Sequence, residues 1–146
     1  MNKITKMMLV LLMLGAAAIV AGCGEKDVEP TLIGSWQLEA YVTLEGDIEV
    51  PVYFWTKSYT VTFNSNGTIA GFASNNASQG TFVLNTDDAL KIKFQQVTKA
   101  LELDGEKFLD AINNADSYTF DNRNLLLYYN SGQNFMRFKP WRRQDN

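Results

Sequence analysis

The chemistry available to this chain begins with one sulfur atom. Cys23 is the only cysteine among 146 residues, and it follows Val20-Ala21-Gly22 at the end of an apolar run that starts at Met7. Small side chains at Ala21 and Gly22 let a protease hold the backbone extended, and the thiol that comes next is a nucleophile open to acylation. Elsewhere the supply is thin. Histidine is absent, which removes the usual general base near neutral pH and the commonest metal ligand. No Ser/His pair can form, a Ser/Lys dyad stays open, and no glycine loop is spaced to cradle phosphate. Glu45, Asp47 and Glu49 stand two apart around Gly46, so their carboxylates could converge on a hard cation. The ligand spacing of a calcium loop is missing, however, and a solvated hairpin tip accounts for them. These absences predict a domain that is not an enzyme and uses no metal or other cofactor.

Lys3 and Lys6, the apolar core from Met7 to Ala21 and the small residues before Cys23 have the layout of a secretory signal. The apolar run is shorter than the ~20 residues a helix needs to cross ~30 Å of hydrocarbon. In the order of its parts the stretch resembles the lipobox of bacterial lipoproteins, whose cysteine is lipidated and becomes the new N-terminus. That resemblance implies a signal peptide over residues 1–22 and a lipid anchor on Cys23. Several acyl chains on one cysteine would meet the need for more than one signal in stable anchoring. Residues 23–31, with Glu25, Lys26, Asp27, Glu29 and Pro30, read as a charged tether. Gly24 takes the place of the aspartate that marks inner-membrane retention in enteric lipoproteins, so the expected address is the outer membrane of a bacterial envelope, on its periplasmic or surface-exposed face. The acidic cluster that follows is similar to the surface-export signals of Bacteroidetes lipoproteins and reads equally well as a soluble linker.

A lone cysteine permits no intrachain disulfide, so the fold must hold by its core. Removal of residues 1–22 takes away two of the 13 Lys and Arg and none of the 16 Asp and Glu, which leaves an acidic domain with a net charge of about −5. Such a domain repels phosphate backbones, and nucleic acid is excluded as an expected partner. Arg142-Arg143 beside Trp141 fits a solvated tail over residues 141–146.

The elements that position these residues follow from the period of the apolar side chains. Trp36, Leu38, Ala40, Val42 and Leu44 alternate with Gln37, Glu39, Tyr41 and Thr43, a half-buried strand. After the Glu45-Gly46-Asp47 turn, Ile48 to Trp55 is extended, and Pro51 assigns it to an edge or loop. Tyr59 to Phe63 and Thr68 to Ala73 form a hairpin across Asn66-Gly67. Ser74 to Gly80 reads as a polar loop, and Thr81 to Leu84 pairs with Leu90 to Phe94. From Asp104, expected as the N-cap, the period changes: Phe108, Leu109, Ile112 and Ala115 share one helical face, which predicts a helix over 105–115. Tyr118 to Phe120, Leu125 to Tyr129 and Phe135 to Phe138 complete the set. Leu125 to Tyr129 is apolar on both faces, as for a strand between sheet core and helix. The predicted fold is mainly β, an antiparallel barrel-like sheet of about eight strands with one α-helix plugging an open side or end.

Leu32-Ile33-Gly34-Ser35-Trp36, the run Phe63 to Gly71, Asn76 to Phe82, Glu106 to Ile112 and Leu125 to Tyr128 together resemble the META domain (HslJ-like) family over residues 32–140. The resemblance implies an all-antiparallel β-domain with one helix, carried by exported bacterial proteins linked to heat-shock, drug-resistance or motility phenotypes. It brings no catalytic residues. Members often place one cysteine before the loop asparagine and another before the helix. Here Asn75 holds the first position and Thr98 to Glu102 has no cysteine, so a redox role is absent.

Two functions from different classes are expected. One is an anchored, non-catalytic module of stress protection or structural interaction that meets an envelope protein through its surface. Tyr53, Phe54, Trp55 and Trp141 are its candidate ligand or partner surface, because they lie on the proline-bearing segment and at the C-terminus, where burial is hardest. The other is a lipocalin-like carrier of a small apolar ligand, suggested by Gly34-Ser35-Trp36 at the start of the first strand.

Overall fold

Alternating burial along each strand builds the sheet. The computed structural model describes residues 30–52, 58–85, 89–98 and 103–142. The signal over residues 1–22, Cys23, most of the tether and Tyr53-Phe54-Trp55 lie outside the described residues. The strands are β1 (Gly34–Thr43), β2 (Ile48–Pro51), β3 (Ser58–Phe63), β4 (Thr68–Ser74), β5 (Asn76–Leu84) and β6 (Leu90–Gln96), followed by helix α1 (Leu103–Asn113), then β7 (Ala115–Asp121), β8 (Asn124–Tyr129) and β9 (Asn134–Pro140). Eight of them run in the order β6-β5-β4-β3-β1-β9-β8-β7, and β2 pairs with β1 alone. Every pairing is antiparallel. The sheet curls into a half-barrel whose end strands, β6 and β7, lie near each other, with an isolated Ala89–Ser117 bridge beside them. This is the mainly β, barrel-like architecture with one helix that the periodicity predicts.

The inward faces and α1 share one core. Trp36, Leu38, Val61, Phe63, Leu125, Leu127, Met136 and Phe138 meet Phe108, Ala111 and Ile112 from the helix. Phe108 is fully buried, with ring centroids 5.5 Å from Tyr59, 6.4 Å from Phe94 and 6.3 Å from Phe138. Trp36 donates its indole N–H to the Leu32 carbonyl at 3.0 Å, so the buried ring carries no unpaired donor. At the β3–β4 hairpin Gly67 takes a φ of 81°, whereas Asn66 contributes through its side chain, accepting from the Thr68 N–H at 3.1 Å.

Four local expectations are corrected. First, a bulge between Leu38 and Ala40 breaks the register of β1 against β9, so Leu38 opposes Phe138 but Tyr41 opposes Met136. One extra residue reverses the alternation: beyond it Tyr41 packs against the core, while Ala40 and Val42, though buried, stand outside the main cluster. Second, the polar stretch from Ser74 to Gly80 is the end of β4, the turn at Asn75 and the first half of β5. Its inward positions are Asn76 and Ser78, 1% and 3% exposed. Thr98 Oγ1 donates to Asn76 Oδ1 at 3.0 Å, and Ser78 Oγ donates to the Asn76 carbonyl at 3.3 Å. Third, α1 begins at Leu103 and ends at Asn113, so Asp104 is inside the first turn, and Ala115 is claimed by β7. Fourth, Leu126, on the outer side of β8, lies between Thr119 and Arg137 of the neighbouring strands rather than under the helix.

Glycine makes the tight curl possible at two points. A Cβ on Gly71 would overlap the Thr60 carbonyl, and one on Gly80 would overlap the Lys93 carbonyl. Neighbouring backbones there approach closer than any side chain permits.

Candidate functional site

Outward-facing positions of four strands converge on one cleft. The register lays two rows across the sheet: Ser35, Thr62, Ala70 and Gln79, and beside them Thr60, Phe72 and Ala77. Small side chains at Ala70 and Ala77 leave a trough between larger ones. Phe72 and Val97, 42% and 50% exposed, form its apolar rim with Trp141, and the open cleft has a volume of about 540 Å³. That falls within the ~300–1,000 Å³ of small-molecule sites.

Trp141 is held in place by its backbone, whose N–H donates to the Ser35 carbonyl at 2.8 Å and so extends the β1–β9 ladder past Pro140. Val97 is placed by a matching bond, its N–H donating to the Ala77 carbonyl at 2.9 Å. Thr98 Oγ1 accepts from the Ala77 N–H at 3.1 Å. On the floor Ser35 Oγ and Thr62 Oγ1 are hydrogen-bonded at 2.8 Å.

Thr60 is different. It faces outward yet is 2% exposed, and its Oγ1 has no hydrogen-bond partner among the described residues. Buried hydroxyls are almost always paired, and one left unpaired costs about 1–3 kcal/mol. None of the described residues lining the cleft is ionisable. The described lining therefore offers aromatic and aliphatic walls with hydroxyl and carboxamide groups, and no fixed charge. Such a lining suits a neutral molecule.

Charge is concentrated elsewhere, on the outer face near β2. Arg137 donates from Nη1 to Glu49 Oε2 at 2.9 Å and from Nη2 to Glu49 Oε1. Glu39 bridges Arg137 and Lys139, each at 3.7 Å. The hydrogen bonds from Arg137 hold the Glu49 carboxyl below its ordinary range, and Glu49 in turn raises the pKa of the guanidinium. This cluster ties β2 to β9 across β1. Of Glu45, Asp47 and Glu49, the last is paired with Arg137, and Glu45 and Asp47 are exposed in the turn. No three His, Cys, Asp or Glu among the described residues are placed to hold a metal. On the helix side Lys107 Nζ sits 4.3 Å above the Tyr41 ring, and burial raises the Tyr129 phenol above its ordinary pKa.

Of the sequence-predicted surface residues, the described structure locates Trp141, and it puts that ring in the cleft. Thr60 and Phe72 were not singled out by sequence reasoning. Their signal was available only as outward parity in two strands whose register fixes them side by side.

The family model for the domain of unknown function DUF4847 matches residues 27–140. The fold is similar to the crystal structure of a DUF4847 family protein from Bacteroides vulgatus, with 21% identity, a TM-score of 0.59, and coverage of 77% of this chain and 94% of that one. It is also similar to the NMR structure of a protein from Burkholderia xenovorans, with 21% identity, a TM-score of 0.61, and coverage of 75% and 83%. No curated protein matches the chain. These findings overturn the META (HslJ-like) resemblance. Its carrying motifs, an Asn-Gly turn, a Trp-led first strand and a short amphipathic helix, are what a curled antiparallel sheet with one helix demands of its sequence, and different families meet that demand alike. By the match over residues 27–140, the chain belongs to the DUF4847 family.

Proposed function

We propose that this DUF4847 protein is a lipid-anchored envelope lipoprotein whose half-barrel is a non-catalytic recognition module, working through the cleft beside Trp141. The observation that carries the reading is that cleft, with its aromatic rim and its uncharged hydroxyl floor. The anchor rests on the sequence around Cys23 and fits a domain held near a membrane by a short charged tether.

The competing reading, a carrier of a small apolar ligand, needs a hollow interior. Phe108 and Ile112 are both fully buried within the curl of the sheet, where a carrier keeps its cavity. That packing supports recognition on the outer face over storage inside.

Two measurements test the proposal in bacterial cells. Labelled fatty acid should enter the wild-type chain and not Cys23→Ala, which should leave the membrane fraction. A photo-crosslinking residue in place of the exposed Gln79 should capture a discrete adduct that Trp141→Ala abolishes. A Cys23→Ala chain that still takes up label removes the anchor. Absence of any adduct, or an adduct indifferent to Trp141, removes the recognition role.

A further inference from the structure

We infer that the cleft takes a neutral saccharide, a deduction that rests on the recognition role just proposed. Three features of the cleft select this chemistry. The described lining holds no ionisable side chain, so against it a charged ligand would lose its hydration without gaining a counter-charge. Four polar side chains, Ser35, Thr60, Thr62 and Gln79, cross the floor, which is more hydrogen-bonding capacity than a purely apolar ligand can use. The rim carries two aromatic rings, Trp141 and Phe72, and the C–H bonds on one side of a sugar ring pack against aromatic faces while its hydroxyls reach polar groups.

Thr60 adds an independent observation. Its hydroxyl is buried at the base of the cleft with no partner, although buried polar groups in folded proteins are paired almost without exception. A ligand hydroxyl supplies the missing partner. The cleft's volume of about 540 Å³ admits a short oligosaccharide stretch rather than an extended polymer surface.

Isothermal titration calorimetry on the full chain in lipid nanodiscs tests the inference, with maltotetraose, cellotetraose and mannotetraose as neutral probes and tetragalacturonate as the charged control. At least one neutral probe should bind saturably, and the uronate about tenfold more weakly or not at all. Trp141→Ala should weaken the neutral probe about tenfold or more. Thr60→Val keeps the shape and removes the hydroxyl, so it should weaken binding about fivefold while the melting temperature holds or rises. Equal binding of neutral and uronate probes overturns the assignment of a neutral ligand. A Thr60→Val chain that binds as the wild type overturns the role of that hydroxyl. If no neutral probe binds while the Gln79 crosslink still depends on Trp141, the saccharide inference fails and the recognition role survives. If both are silent, both fail.

Discussion

The Asn113 side chain pairs with Phe94 as a strand would. Its Oδ1 accepts from the Phe94 N–H at 2.7 Å and its Nδ2 donates to the Phe94 carbonyl at 2.7 Å. The same Nδ2 donates to the Leu109 carbonyl at 2.8 Å. One carboxamide thus satisfies both main-chain groups of a residue on the free edge of β6 and ties that edge to the last turn of α1. An unpaired edge is a template for aggregation, and here part of it is occupied from within.

Asn113→Ala should therefore destabilise the domain by about 2–3 kcal/mol, since two part-buried backbone groups lose their partner at once. Asn113→Asp should rescue little, because a carboxylate accepts but cannot donate to the Phe94 carbonyl. Urea unfolding gives the magnitude, and amide exchange at Phe94 should accelerate in both variants. An Asn113→Asp chain as stable as the wild type would contradict the pairing.

Phe108→Ala should cost about 3–5 kcal/mol. The ring is fully buried and touches the aromatic residues of three strands, so little can collapse into the space it leaves. Chemical denaturation checks this. A loss below about 1 kcal/mol would place the ring at a tolerant boundary rather than at the centre of the core.

Gly71→Ala and Gly80→Ala should each destabilise the fold, because the added methyl meets a backbone carbonyl, which cannot swing aside as a side-chain tip can. A loss above about 1 kcal/mol is expected for each, read from melting curves. Gly132→Ala is a useful contrast. The space around Gly132 is open but its φ is 78°, so only the backbone strain of about 1 kcal/mol applies.

The Glu49–Arg137 pair gives an acid-side signature. Hydrogen bonds from Arg137 lower the folded pKa of Glu49 from 4.5, so folding favours its charged form. The resulting contribution is present above the ordinary carboxylate range and is lost as pH falls through the lowered folded value. It is small, because Glu49 is solvent-exposed and its charge is screened. Carboxyl NMR shifts followed from pH 7 downwards should show Glu49 titrating below the ordinary glutamate value, and Arg137→Ala should bring it back up.

Much of this architecture was legible because apolar alternation and turn residues state it directly. Val61 and Phe63 against Thr60 and Thr62 announce one half-buried strand, and Phe108 with Ile112 announces the helix face. The bulge after Leu38 was not legible, since the sequence continues an unbroken alternation through it. Only the pairing with β9 inserts the extra residue that turns Tyr41 inward. The first half of β5 was hidden for the opposite reason. Asn76 and Ser78 are inward but polar, and the Thr98 hydroxyl that satisfies Asn76 comes from 22 residues away. The cleft fails the same test. Ser35, Thr60, Phe72, Ala77 and Trp141 share no local spacing, and they become neighbours only when five segments of the chain are laid side by side.

The central pairing of β1 with β9 constrains when the domain can exist. That ladder joins residues 36–43 to residues 134–140, so the middle of the sheet waits for β9 to leave the ribosome. A nascent chain that stops before Asn134 leaves Trp36 and Leu38 without the strand that carries Met136 and Phe138. Contacts of such sequence separation make folding slow and late, so the chain remains unfolded while it is being made and for some time afterwards. For the export that the proposed lipid anchor requires, that interval is the one in which a machine that threads unfolded polypeptide would take it up.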